Sequence, residues 1–251
     1  MTVDIAVVGA DGRMGTLVAE VVSERQDSAL VGAVDVDGDE VEGVEIVPPG
    51  EAESVFVDAD VVVDFSVPKA TERAVEAAIE TDTAVVTGTT GHPPVVQGEI
   101  EEAADHVSVL QSSNFARGVN VFWEAVEEAA SHLQDYDFEV TETHHRHKTD
   151  APSGTAKTAV ERIEDAVGEK EKRHGREGNA PRSDEIGVHA RRGGGIVGEH
   201  EVLMAGDEES IRIEHRAGER KAFAAGAVDA AEWIAGRSEG WYNFGDVLGI
   251  E

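Results

Sequence analysis

The first half of the sequence predicts a doubly wound α/β fold, on three observations. Short β-branched runs alternate with stretches of helical apolar spacing, the runs recur at intervals that fit crossover helices, and a glycine-rich turn separates the first run from the first helix. Residues 3–8 and 30–34 are strand-like and flank a helix expected over 16–25. Residues 60–65, 84–87 and 107–111 continue the strand series, with helices expected over 71–80 and 95–105. Ligands of such a sheet collect at the carboxyl ends of its strands. After Asn114 the character changes. Residues 119–133 read as a long helix, 138–143 as a strand and 153–167 as a second long helix, followed by a Gly-, Arg- and charge-rich region at 168–192. Period-two alternation at 187–190, 195–203 and 210–215 predicts antiparallel strands of a second, open sheet. Helix returns over 222–234, and 241–249 closes the chain.

Composition removes several function classes. Among 251 residues, 52 acidic against 21 basic side chains give a net charge of −31, so a nucleic-acid partner is excluded: phosphate contacts need a basic face. Hydrophobic residues make up 40% of the chain, enough to build a core and not a disordered acidic tail. The absence of cysteine excludes disulfides, thiolate zinc sites and cysteine nucleophiles. No leader pattern and no apolar run of about 18 residues is visible, so no membrane association and a soluble cytoplasmic protein are expected. The acids are dispersed and the cations favour arginine, 15 against 6 lysines, which reads as a halophilic solvation surface and not as a docking face.

The turn after the first strand runs Gly9, Ala10, Asp11, Gly12, Arg13, Met14, Gly15, a G-x-x-G-x-x-G spacing. Glycines there let a pyrophosphate approach the backbone, and the following helix N-terminus holds its charge. Asp35 closes the second strand about 20 residues further on, where a carboxylate accepts from adenosine ribose hydroxyls. It also repels a 2′-phosphate, and the next residue, Val36, neutralises nothing, so NADH is expected to be preferred with NADPH possible. Gly88, Thr89 and Thr90 end another strand, and Ser112, Ser113, Asn114 and Phe115 end the next, so both loops are expected beside the cofactor.

The most distinctive run spans 142–155. Three of ten histidines, with Arg146 and Lys148, fall within five residues of a strongly acidic protein. A metal site is disfavoured, because Arg146 and Lys148 would oppose a cation and no further ligand cluster is recognisable. An anion-binding acid catalyst fits better. Pro152, Ser153, Gly154 and Thr155 give a helix-start signal whose exposed N–H groups suit carboxylates, and either His or Lys can donate a proton to a reduced double bond.

Together VVGADGRMG at 7–15, DFSVP at 64–68, GTTG at 88–91, SSNFARGVNVF at 112–122 and HHRHKTDAPSGTA at 144–156 resemble the dihydrodipicolinate reductase family, also described as 4-hydroxy-tetrahydrodipicolinate reductase, of the diaminopimelate route to lysine. GEHEVLMAG at 198–206 and FAAGAVDAAEWI at 223–234 extend the similarity. The resemblance implies a Rossmann-type dinucleotide domain (1–114), a substrate and oligomerisation domain on an open mixed sheet (115–222) and a C-terminal segment returning to the first domain (223–251). It implies a homotetramer, a dicarboxylate substrate and reduction by NAD(P)H. It assigns cofactor contact to Gly9 through Met14, Asp35, Gly88 to Thr90 and Ser112 to Phe115. His144 is implied as proton donor and acceptor, Lys148 as second proton donor, and His145, Gly154 and Thr155 as carboxylate contacts. The family often has arginine after the ribose acid, so Val36 is a departure. Another imine-reducing nicotinamide enzyme would have no reason to carry the His-rich run, and a silent NAD(H) sensor should have lost His144 and Lys148.

Overall fold

Valine and alanine runs, buried on both faces, form the centre of a mainly parallel sheet. In the computed structural model, which describes residues 2–250, the first unit takes in the chain up to Ala116 and again from Arg220, and the second is Arg117–Glu219. The first unit opens with β1 (Val3–Val8), α1 (Arg13–Glu24), β2 (Ser28–Val34), β3 (Glu40–Val41) and β4 (Val44–Val47). A 3₁₀ turn at Pro49–Glu51 leads to α2 (Glu53–Phe56), β5 (Val61–Asp64), α3 (Pro68–Thr81), β6 (Ala84–Thr87), α4 (Pro94–Ala103) and β7 (Ser108–Gln111). The second unit holds α5 (Arg117–His132), β8 (Asp137–His144), α6 (Gly154–Val167), β9 (Glu171–His174), β10 (Glu185–Arg192), β11 (Gly198–Ala205) and β12 (Ser210–Ala217). The chain then completes the first unit with α7 (Lys221–Ile234), β13 (Gly240–Tyr242) and α8 (Phe244–Leu248).

The first sheet has the order β13-β7-β6-β5-β1-β2-β4-β3, parallel throughout except for the β3–β4 hairpin. Strand side chains alternate between two cores. Ile5, Val7, Val61, Val63 and Val86 pack with residues of α1 and α7, whereas Ala6, Val8, Val62, Val85 and Val109 pack with residues of α2, α3 and α4. Because the strands are parallel, the turns after β1, β2, β5, β6 and β7 share one edge.

The second sheet has the order β12-β11-β8-β10-β9. The antiparallel expectation holds for β11 against β8 and β12, but β10 runs parallel to both β8 and β9. The crossover through α6 returns the chain in the same direction, and period two carries no information about strand direction. One face, with Phe138, Val140, Ile186, Val188, Val202 and Met204 buried, packs on α5 and α6. The other carries Glu139, Thr141, His189, Glu201 and Leu203, only partly covered.

Some elements had no apolar signal. β9 is Glu-Lys-Arg-His, a charged edge strand that pairs only with β10. The units part at Ala116 and Glu219, against breaks expected after 114 and 222. Phe115 meets Phe65 and Phe244 edge to face at 5.7 and 5.3 Å, and Lys221 lies 2.9 Å from both Glu20 and Glu24 of α1. These contacts hold both stretches in the first unit.

Candidate active site

The candidate site residues fall into two sets, one in each unit. In the first unit, Gly9 has a φ of +80°, and a Cβ there would lie 2.6 Å from the Phe65 carbonyl oxygen. A side chain is therefore excluded on both conformational and steric grounds. Gly12 caps α1 with no side-chain bond, and no acid lies in the first turn, so the positive end of the helix is left to an anion. The structure thus has a backbone cradle that side chains would fill, and it fits a dinucleotide pyrophosphate. Arg13 is exposed, Met14 half-buried, and the Ala10 methyl belongs to the core.

Asp35 follows β2 with its two oxygens accepting the backbone N–H groups of Asp11, at 3.0 Å, and Val36, at 2.6 Å. These bonds aim the carboxylate beside the glycine turn, while Val36 stays 77% exposed. The loop after β6 is ordered by a residue to which sequence reading gave no role. Asp64, fully buried at the end of β5, accepts from the hydroxyls of Ser66, Thr71, Thr87 and Thr89. The Thr89 hydroxyl also accepts from the Ser66 N–H, so its side chain organises the loop, while Thr90 is exposed. Gly88 has no room for a side chain against the Phe65 ring. In the loop after β7, the Ser112 hydroxyl and the Asn114 backbone hold each other, the Asn114 side chain accepts from the Ala116 N–H, and Ser113 is exposed. Phe115 is 1% exposed, its ring committed to the core.

In the second unit, strand register builds the site. His215, His200 and Glu142 lie in one row across β12, β11 and β8, and His144 pairs with Arg192 in the next. Glu142 and His144, two residues apart on β8, point to the same buried face. His144 Nδ1 lies 2.6 Å from Glu142 Oε2. Burial alone would raise the Glu142 carboxyl, but hydrogen bonds from Arg192 and His144 outweigh it and hold the group below the usual carboxylate range. The His200 ring lies 5.2 Å from that of His144. Burial above all, with the neighbouring imidazoles and Lys148 adding to it and Glu142 opposing it, pushes His200 down to about 3, so it stays neutral.

Residues 145–148 form a turn in which the Lys148 N–H donates to the His145 carbonyl at 3.1 Å. Lys148 Nζ sits 2.9 Å from Asp150 Oδ1, and this contact keeps Asp150 low. The Lys148 carbonyl accepts from Arg192 Nε at 3.3 Å, and Arg192 also donates to Glu142, so the turn is tied to the His144–Glu142 pair. His145 is half-buried, its ring 6.4 Å from that of His147. Ser153 caps α6, its oxygen accepting from the Ala156 N–H, and also contacts His200 Nε2 at 3.2 Å. Gly154 is exposed, with open space where a Cβ would stand, and the Thr155 carbonyl is fixed by the Trp123 indole N–H at 3.0 Å. A helix N-terminus, two cationic or titratable donors and a buried anion that orients one of them make a device for binding a carboxylate and moving a proton.

Glu142, Arg192 and His200 were given no role from sequence. The i, i+2 spacing of Glu142 and His144 on a strand was the available signal for the first, whereas Arg192 is 44 residues distant from Lys148 in sequence and reaches it only through strand register.

A Rossmann-like α/β unit joined in one chain to a second unit with a buried His–Glu pair is the architecture of an NAD(P)H-dependent oxidoreductase. The comparisons agree. The family described as dihydrodipicolinate reductase matches by its N-terminal model over residues 3–115 and by its C-terminal model over 118–248. A 4-hydroxy-tetrahydrodipicolinate reductase from Methanoculleus marisnigri is 47% identical over 99% of this chain and 100% of its own length. One from Haloarcula marismortui is 44% identical over 97% and 98%. Among solved structures, the dipicolinate-bound dihydrodipicolinate reductase from Paenisporosarcina sp. TG-14 superposes with a TM-score of 0.78 at 21% identity, covering 97% of this chain and 98% of that one. The chain belongs to the dihydrodipicolinate reductase family.

Proposed function

We propose that this protein reduces 4-hydroxy-tetrahydrodipicolinate with NAD(P)H, in diaminopimelate and lysine biosynthesis. The observation that carries the reading is His144 held by buried Glu142, which Arg192 ties to the Lys148 backbone and which accepts from the Ser153 N–H at the start of α6. Bound NAD(P)H supplies the hydride. The first unit would hold it through the backbone from Gly9 to Met14, Asp35, Gly88 to Thr90 and the backbone of Ser112 to Phe115. In the second unit, His145, Gly154 and Thr155 bind the substrate carboxylates. Loss of the 4-hydroxyl as water opens a carbon–carbon double bond conjugated to the ring imine. As hydride adds to its far carbon, negative charge builds toward the ring nitrogen, and His144 and Lys148 hold the protons that quench it, where stabilisation accelerates the reaction most. That a relative in the same fold is dipicolinate-bound supports a small dicarboxylate ligand here. Following NADH with freshly generated substrate at high salt tests the reading. Turnover that requires both is expected, and NADH consumption indifferent to substrate contradicts it.

The finer cofactor reading is a preference for NADH. Asp35, aimed by Asp11 and Val36 backbone groups, faces a 2′-phosphate with no cation at position 36. Two like charges about 4 Å apart near a surface repel by roughly 1–4 kcal/mol, so kcat/KM is expected to favour NADH by about tenfold or more. Equal or better efficiency with NADPH in a side-by-side assay contradicts this.

The partly covered face of the second sheet, with Glu139 paired to Arg176, Arg182 and His189, supports assembly into a homotetramer through that face. No helix among the described residues is long and apolar enough to cross a membrane, which is consistent with a cytoplasmic location. The net charge of −31 supports a halophilic protein. Unfolding midpoints are expected to rise by several degrees from low to molar salt, and maximal stability at low salt contradicts that expectation.

A further inference from the structure

Glu142 is the most completely bonded side chain of the second unit, and Arg192 matches it. Glu142 Oε2 accepts from His144 Nδ1 at 2.6 Å and Arg192 Nη1 at 2.7 Å, while Oε1 accepts from Arg192 Nη2 at 2.8 Å and the Ser153 N–H at 3.1 Å. These four bonds fill the lone-pair sites of a carboxylate. The guanidinium has five N–H donors, and all have acceptors. Besides Glu142, Nε reaches the Lys148 carbonyl at 3.3 Å, Nη1 the Arg191 carbonyl at 2.7 Å and Nη2 the Asp150 carbonyl at 2.6 Å.

Burying a carboxylate that is 0% exposed is unfavourable unless its bonds are this complete, and apolar replacements of such pairs are often equally stable. Stability alone therefore gives no reason for the pair. Its connections give one: the carboxylate touches His144 and the cap of α6, and the guanidinium touches the backbone on which Lys148 is carried. An ionised Glu142 keeps hydrogen on His144 Nδ1, so Nε2 is the nitrogen left to take or give a proton. That atom faces Gly198, where a Cβ would stand 3.0 Å away, so the absence of a side chain keeps its surroundings open.

We propose that Glu142 and Arg192 are positioning residues for proton delivery: Glu142 fixes the tautomer and direction of His144, and Arg192 locks Glu142 and the Lys148 backbone into one frame. Both act through His144 and the backbone of Lys148, and the inference rests on His144 being the proton donor. In the wild-type protein, ¹⁵N shifts of neutral His144 are expected to show the Nδ1–H tautomer. Glu142→Gln is expected to lower kcat by about 10²–10³-fold, with substrate KM within a few-fold, and to bring in the Nε2–H form, because a wrong tautomer disables the analogous His–Asp pair of serine proteases. Glu142→Asp, which keeps the charge, should recover part of the loss. Wild-type kcat in Glu142→Gln alongside an inactive His144→Gln would overturn the positioning role and leave His144 as donor, whereas an active His144→Gln would overturn the reading beneath it. An Nε2–H tautomer in the unmodified protein overturns the proposal without any variant, so it stays testable even if Glu142→Gln fails to fold.

Discussion

His144→Gln is expected to lower kcat by about 10³-fold, within the range that a positioned general acid contributes. The side chain ends β8 with 8% exposure, so the replacement must fit a packed position. Glutamine is of similar length, and its amide nitrogen can donate to Glu142 as Nδ1 does, which keeps the buried carboxylate bonded and the unit folded. It has no group that releases a proton near neutral pH. The measurement is steady-state turnover at saturating NADH and substrate, with thermal unfolding as the control for folding. Near-normal turnover removes His144 from the mechanism.

Lys148→Ala is expected to lower kcat/KM by about 10²–10³-fold, because it removes a proposed proton donor and a cation from the proposed site for two carboxylates. The loop should keep its shape. Its backbone is held by the bond from the Lys148 N–H to the His145 carbonyl and by Arg192 bonds to the carbonyls of residues 148 and 150, none of which uses the lysine side chain. The direct structural loss is the Nζ contact to Asp150, which is itself 54% exposed, so stability should change little. Loss confined to KM would leave Lys148 as a binding group only, and an unchanged kcat/KM would remove it from both roles.

Much of the first unit was legible because strands buried on both faces read as continuous valine and alanine runs, and because the glycine turn needs Gly9 for reasons visible in one dimension. The His-rich run was legible for its charge, which inverts the sign of an otherwise acidic chain. What escaped depends on register or burial. β9 has no apolar residue, the direction of β10 follows from a crossover, and Arg192 reaches Glu142 only because β10 lies parallel to β8. Asp64 looked like one more acid in a chain with 52 of them, until four hydroxyls were found to converge on it. Phe115 and Thr89 lie in the expected loops, and their side chains also hold the fold together, which only the packing reveals.

The division of labour between the units is the central claim, and the His144→Gln/Lys148→Ala double variant tests it most directly. NADH binding, followed by the fluorescence of the bound dihydronicotinamide, is expected to match the wild type because the residues proposed to hold the nucleotide lie in the first unit. Reduction of freshly generated 4-hydroxy-tetrahydrodipicolinate by that variant is expected to fall at least as far as in the weaker single variant. Substrate reduction at the wild-type rate, or loss of NADH binding in a folded protein, would contradict the account.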